Sequence, residues 1–233
     1  MHLFYSNTIS GKYHSLSPEE SKHCIKVLRL TRGDTIYLTD GNGNLFESRI
    51  TDDGFKKTTV EIVNIQHEYE KRSFKLNLAV APTKNIARFE WLLEKATEIG
   101  TDMITPIICR HSERRSIPWD RLNKIIVSAM KQSHKAYMPL LENANQFEDF
   151  ITRDFKMDKY IAACIPGINN SIKDLYQKDN DVIILIGPEG DFSEDEIEMA
   201  INKGFKPINL GKSRLRTETA AIFACASANF MNL

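Results

Sequence analysis

Cysteine is scarce and scattered in this 233-residue chain: Cys24, Cys109, Cys164 and Cys225 form no Cys-x-x-Cys pair and meet no His-x-x-x-His partner. That spacing supports neither a disulfide framework nor a zinc site, so reduced thiols and no bound metal are expected. Apolar runs of membrane-spanning length are missing too. The opening Met-His-Leu-Phe-Tyr has neither the basic flank nor the long apolar stretch of a signal peptide. A soluble cytoplasmic protein with no membrane association is the expectation. Nor is there an excess of charge, since 31 lysines and arginines balance 31 aspartates and glutamates. Indiscriminate nucleic-acid binding rests on phosphate neutralisation and leaves a basic composition, so it is disfavoured. No repeat or low-complexity segment is present.

What is there is local. Between Arg110 and Lys135 lie Arg114, Arg115, Arg121, Lys124 and Lys131, opposed only by Glu113 and Asp120, with His111 and His134 as further donors. A phosphate-facing patch and a solvated helix face both account for such a cluster.

The chain is long enough for two small domains, and its patterning changes near residue 73. Upstream, Ser17-Pro18-Glu19-Glu20 predicts a helix start with Ser17 at the N-cap, Pro18 in the first turn and Glu20 in the capping-box position, the helix running to about residue 28. Strand, glycine turn and strand follow at 34–39, 40–44 and 45–50, and a further strand at 58–65. Together these predict a small β-barrel over residues 1–70, closed by a charged linker at 68–73. Downstream, strand-like segments (74–81, 103–109, 159–165, 182–186, 206–210) alternate with helix-like ones. The first of these helices puts Phe89, Leu92, Leu93 and Ala96 on one face and ends at Gly100; the others cover 119–134, 171–177, 193–203 and a stretch from 217. Over residues 73–233 this alternation predicts an α/β domain whose mostly parallel sheet is covered on both faces.

Two loops carry candidate chemistry. Gly187-Pro188-Glu189-Gly190-Asp191 follows a buried strand and precedes a helix start with Ser193 at the N-cap and Glu196 in the box position. Ligands in open α/β sheets sit at such strand ends. The glycines let backbone approach a ligand, Pro188 stiffens the turn and Glu189 sets a carboxylate at the lip. A tight strand-to-helix turn with no ligand explains the same residues. The second loop, from Leu210-Gly211 to Leu215-Arg216-Thr217-Glu218-Thr219, brings a cation, a carboxylate and two hydroxyls to a helix start, where free backbone N–H groups point outward. Capping by Thr217 accounts for the threonine but not for Arg216. Gly211-Lys212-Ser213 is no nucleotide P-loop, because the required first glycine falls at Lys206 and no helix starts at Lys212.

The order and spacing of Gly187-Pro188-Glu189-Gly190, Leu210-Gly211 and Leu215-Arg216-Thr217-Glu218-Thr219-Ala220 resemble the paired C-terminal motifs of the RsmE family of ribosomal RNA small-subunit uracil-N3 methyltransferases, in the SPOUT class. His23 with Val27-Leu28-Arg29 is similar to that family's N-terminal RNA-binding segment. Lys84 and Arg88 ahead of residues 94–100, and the triplet Ser112-Glu113-Arg114, also match, so the resemblance covers essentially the whole chain. It implies a PUA-like β-barrel at 1–70 for RNA binding and a trefoil-knotted α/β domain at 73–233 for cofactor binding, catalysis and homodimerisation. It implies S-adenosylmethionine (SAM) as cofactor and 16S ribosomal RNA, within the small ribosomal subunit, as partner. Carried over by position, Gly187, Glu189, Gly190, Leu210, Gly211, Leu215, Arg216 and Thr217 would line the cofactor pocket. Arg216 and Glu218 would be catalytic, and His23, Arg29, Lys84, Arg88, Arg114 and Lys135 would contact RNA. Two positions depart from the family pattern: Asp191, where a second glycine is usual, and Lys131, where a glutamate is usual.

The small-residue pattern of the last helix, apolar nearly all round, independently suggests burial at a subunit interface. A non-catalytic dimeric RNA-binding protein is the alternative, but it leaves two polar loops at one sheet end without a use. A nucleotide-binding enzyme of the doubly wound class lacks its glycine fingerprint.

Overall fold

The computed structural model describes residues 1–165 and 167–233 and divides into two compact units, Met1–Lys71 with Met130–Met138, and Arg72–Ala129 with Pro139–Leu233. The first unit contains β1 (Leu3–Tyr5), β2 (Tyr13–Ser15), α1 (Pro18–Lys22), a π turn (His23–Val27), β3 (Thr35–Thr39), β4 (Leu45–Gly54) and β5 (Lys57–Gln66). Its strands form one sheet in the order β1-β3-β4-β5-β2, antiparallel except where β1 runs parallel to β3. Register shifts at Glu47/Ser48 and Ile50/Asp52 bend β4 around a core of Phe4, Leu16, Cys24, Ile36, Leu38, Ile50 and Val60.

Ser17 caps α1 as its position predicts, accepting the Glu20 N–H at 3.2 Å. The helix does not reach residue 28, however; it ends at Lys22 and widens into the π turn, in which Leu28 N–H bonds His23 O. The cause is tertiary. The buried Ser21 hydroxyl donates to Leu16 O and accepts the Thr58 N–H of β5 at 2.9 Å, and the wider turn that follows buries Cys24 in the core. Arg29, at φ 58°, then reverses the chain.

The second unit holds β6 (Leu76–Val80), α2 (Ile86–Ile99), β7 (Met103–Ile108), α3 (Trp119–Gln132, whose last residues belong to the first unit), β8 (Leu140–Leu141) and β9 (Asn145–Gln146). Next come α4 (Phe147–Ile151), β10 (Asp158–Ala162), α5 (Ile172–Leu175), β11 (Val182–Ile186), α6 (Glu194–Asn202), β12 (Lys206–Ile208) and α7 (Thr217–Phe230). All pairings in this sheet are parallel, in the order β12-β10-β11-β6-β7-β8, with β9 also on β7. Every residue of β11 is buried, as a central strand covered on both faces requires. Ile183 and Leu185 face a core that includes Phe147 and Phe150 of α4 and Ala200 of α6, while α7 packs against α2, β6 and β11.

The helix ends obey local chemistry. Asn85 caps α2 by accepting the Ala87 N–H, and Gly100 ends it at φ 126°. Ser193 and Glu196 cap α6 reciprocally. The elements that the sequence pattern missed, β1, β2, β8, β9 and α4, span five residues or fewer, too short for a periodic signal.

Candidate functional site

Parallel strands end on the same side, so β10, β11 and β12 deliver the segments that follow them to one edge of the sheet. Between these segments lies a pocket of about 610 Å³, within the size range of ligand sites. Gly187, Glu189, Leu210, Gly211, Leu215 and Thr217 line it as expected, whereas Gly190 and Arg216 do not. Its third wall, residues 162–165, carries no motif; only the placement of β10 between β11 and β12 brings it here.

Two of the glycines have neighbours within the fold. A Cβ on Gly187 would meet the Phe192 ring at 3.1 Å, and one on Gly190 would meet His111 Cβ at 3.1 Å. Gly211, at φ 114° with nothing within 4 Å of an added Cβ, is required by its backbone conformation alone. Asp191 stands at φ 62°, a left-handed conformation that aspartate tolerates better than most side chains. Its carboxylate accepts the Phe192 N–H at 2.8 Å and the Cys164 N–H at 3.0 Å. Burial first, and the charge of Asp191 second, push the Cys164 thiol above its ordinary pKa.

Thr217 is not the cap of α7. That position belongs to Arg216, which offers no side-chain bond to the helix, and the Thr217 hydroxyl instead donates to Gly187 O at 3.1 Å. The Arg216 side chain is exposed and makes no hydrogen bond or ion pair among the described residues, so it is not tied to Glu189. Glu189 accepts the Lys84 N–H at 3.0 Å. Glu218 is 7% exposed; its Oε1 lies 3.7 Å from Arg88 Nε, and its Oε2 is buried with no hydrogen-bond partner. That pairing with Arg88 is invisible in sequence, since the two residues are far apart in the chain.

The residues expected to meet RNA fall on both units. Lys84, Arg88 and Arg114 belong to the second, where Arg114 also braces the segment after β6 by donating to Thr83 O at 3.1 Å and Lys84 O at 2.9 Å. His23, Arg29 and Lys135 belong to the first, with His23 and Arg29 exposed. Lys131 bonds Glu20 at 2.6 Å within the same unit, which gives the reversed charge at this position a structural partner. Among the described residues no cluster of His, Cys, Asp and Glu suits a metal ion, and no helix is long and apolar enough to cross a membrane.

The profile of an RNA methyltransferase domain matches residues 70–229, and that of an RNA methyltransferase PUA domain matches residues 16–63. Fold and pocket thus define an RNA methyltransferase built on a PUA-like unit and a mostly parallel α/β unit. Within that class the chain belongs to the family of ribosomal RNA small subunit methyltransferase E. The family member of Rickettsia conorii is 32% identical, the match covering 93% of this chain and 89% of the relative. Among solved structures, a "probable rRNA-methyltransferase" from Porphyromonas gingivalis superimposes with a TM-score of 0.93 at 39% identity, covering 100% of this chain and 98% of that one. A Legionella pneumophila protein in complex with the bound cofactor SAM follows at 0.88 and 29%, covering 99% and 98%.

Proposed function

We propose that this chain transfers a methyl group from SAM to N3 of a uracil in 16S ribosomal RNA, as a cytoplasmic homodimer acting on the small ribosomal subunit. The observation that carries the reading is the unfinished start of α7. A free guanidinium at Arg216 and a buried carboxylate oxygen of Glu218 without a donor flank Thr217, which lines the pocket. The pocket suits the cofactor in size and is lined by two carboxylates, Glu189 and Asp191, and two cations, Lys212 and Arg214, a mixed set that suits a ligand carrying both signs of charge. Gly187, Glu189, Gly190, Leu210, Gly211, Leu215, Arg216 and Thr217 form the proposed cofactor site, Gly190 by placing the loop and Arg216 from the rim. When bound, SAM supplies an electrophilic methyl on its sulfonium.

Uracil N3 keeps its proton well above neutral pH, so the ring must become anionic, or nearly so, as the methyl is transferred. Arg216, unable to lose its own charge, favours that anion, and Glu218 accepts the N3 proton through water. Arg88 holds Glu218 from its other side. No protein nucleophile is needed, because alignment of methyl and N3 removes an entropic barrier.

Residues 1–70 are read as the RNA-binding domain and 73–233 as the catalytic and dimerising one, with His23, Arg29, Lys84, Arg88, Arg114 and Lys135 near phosphates. Dimerisation is supported by Phe223 and Phe230 of α7, which are 49% and 76% exposed while Ala221, Ala224, Cys225 and Ala228 of the same helix are buried. A trefoil knot within residues 73–233 is proposed on the family resemblance alone. Calorimetry with SAM, followed by mapping of methylated bases in 16S RNA from a strain lacking the gene, tests the proposal. No SAM binding, or full methylation of the RNA in that strain, would refute it.

A further inference from the structure

Among the described residues, three side-chain ties join the segments after β10, β11 and β12 to one another at the rim of the pocket. Thr217 Oγ1 donates to Gly187 O at 3.1 Å, joining the start of α7 to the loop after β11. Asn209 Nδ2 donates to Ile168 O at 3.3 Å, joining the loop after β12 to the segment after β10. Asp191 Oδ2 accepts the Cys164 N–H at 3.0 Å, joining the segment after β10 to the loop after β11. Only the third uses a charge, and a hydrogen bond to a charged group is the stronger kind.

Asp191 is held in place from every side that bears on it. Its own N–H donates to Pro188 O at 2.9 Å, its carbonyl lies 3.0 Å from His111 Nδ1, and its Oδ1 accepts the Phe192 N–H at 2.8 Å. The second carboxylate oxygen is thereby aimed at residues 162–165, the wall without a motif. At φ 62° a glycine would strain the backbone less; the Oδ1 bond to the Phe192 N–H is a local reason for an aspartate or asparagine, and it leaves Oδ2 to reach beyond the turn. Its one bond beyond the turn's own residues through the side chain is the one to Cys164, and both residues line the pocket.

We propose that Asp191 is a positioning residue for the cofactor: its carboxylate fastens the 162–165 wall to the 187–191 loop and so builds the pocket before the ligand arrives. A preorganised site saves the ligand the cost of ordering its own walls. The proposal rests on the reading that this pocket holds SAM. The raised pKa of the Cys164 thiol, due to burial and then to Asp191, accords with a carboxylate lying over that wall. It also supplies a reporter, because the neutral thiol alkylates slowly.

The test compares the full-length parent with Asp191→Asn, which keeps the size and the tolerance of positive φ but loses the charge and one acceptor, and with Asp191→Gly, which frees the backbone and removes the carboxylate. SAM affinity is read by calorimetry, KM for SAM and kcat by methyl transfer, and Cys164 reactivity by iodoacetamide labelling without cofactor. Both variants should bind SAM about tenfold more weakly, the change that follows from losing one hydrogen bond to a charged group. KM should rise in step, kcat at saturating SAM should stay within about twofold, and Cys164 should label several-fold faster. Parental affinity and labelling in both variants overturn the proposal, as does a loss of kcat at unchanged KM, which would move Asp191 into the chemistry. If the parent itself fails to bind SAM, the cofactor reading is what falls, and unchanged labelling of Cys164 in the variants would still refute the latch.

Discussion

Helices α6 and α7 start at the same edge of the large sheet, α6 after the buried strand β11 and α7 after the edge strand β12, and they start in opposite ways. At α6 the Ser193 hydroxyl accepts the Glu196 N–H and the Glu196 carboxylate accepts the Ser193 N–H, while the other oxygen of Glu196 accepts the Arg110 N–H at 2.8 Å. The Ser193 hydroxyl and both oxygens of Glu196 are thus all used. At α7 the side chain of the cap residue Arg216 bonds nothing among the described residues, Thr217 turns its hydroxyl to another loop, and Glu218 buries an oxygen without a donor. A buried polar group without a partner costs free energy, so a fold keeps one chiefly where a ligand or substrate completes it. A saturated helix start serves stability; the unsaturated one beside it is the better candidate for chemistry.

That contrast can be broken by substitution. The largest effect is expected for Arg216→Ala, with methyl transfer to small-subunit RNA in single turnovers falling about 10²- to 10³-fold, the range for removing one charge-stabilising donor. SAM affinity should fall far less than turnover. A parental rate at saturating cofactor would take Arg216 out of the reaction.

Glu218→Gln comes next, with a loss of about 10²-fold, as for a general base. Its thermal unfolding midpoint should change little, because losing the 3.7 Å ion pair with Arg88 is offset by removing a buried carboxylate that has one oxygen without a donor. A marked drop in the midpoint at an unchanged rate would make Glu218 structural instead.

Ser193→Ala should behave in reverse. Losing the cap should lower unfolding free energy by about 1 kcal/mol, seen as a lower denaturant midpoint at constant slope, with turnover within about twofold. Comparable losses of turnover at both helix starts would erase the distinction.

The smallest effect is expected away from the sheet edge. Replacing His23 and Arg29 by alanine should leave SAM affinity untouched and reduce the salt dependence of RNA binding by about one to two phosphate contacts. An identical salt slope would remove both from the RNA surface.

Much of this was legible in the chain. Ser193 and Glu196, the face from Phe89 to Ala96 with its end at Gly100, and the unbroken apolar run of β11 announce their elements because cap, partner and periodicity lie within a few residues of one another. The site was legible in part. Gly187, Glu189 and Leu210 to Thr217 are marked by residue types that only a turn or a ligand explains. The wall at 162–165 is plain apolar sequence, and α1 was expected to run to residue 28 because Ser21 looks like any helical serine until Thr58 is placed beside it.

By itself, then, the sequence determined where the strands and helices lie, that one edge of a parallel sheet would gather the glycine-rich loops, and the motifs that mark the methyltransferase family. These depend on bonds and periodicities spanning a few residues. Only the tertiary structure decided how the leftover groups are spent: Thr217 on Gly187 rather than on its own helix, Arg88 beside Glu218 rather than free, Asp191 across to Cys164. Those partners are separated by tens of residues or more, and a side chain with several possible acceptors takes the one that folding brings within about 3 Å.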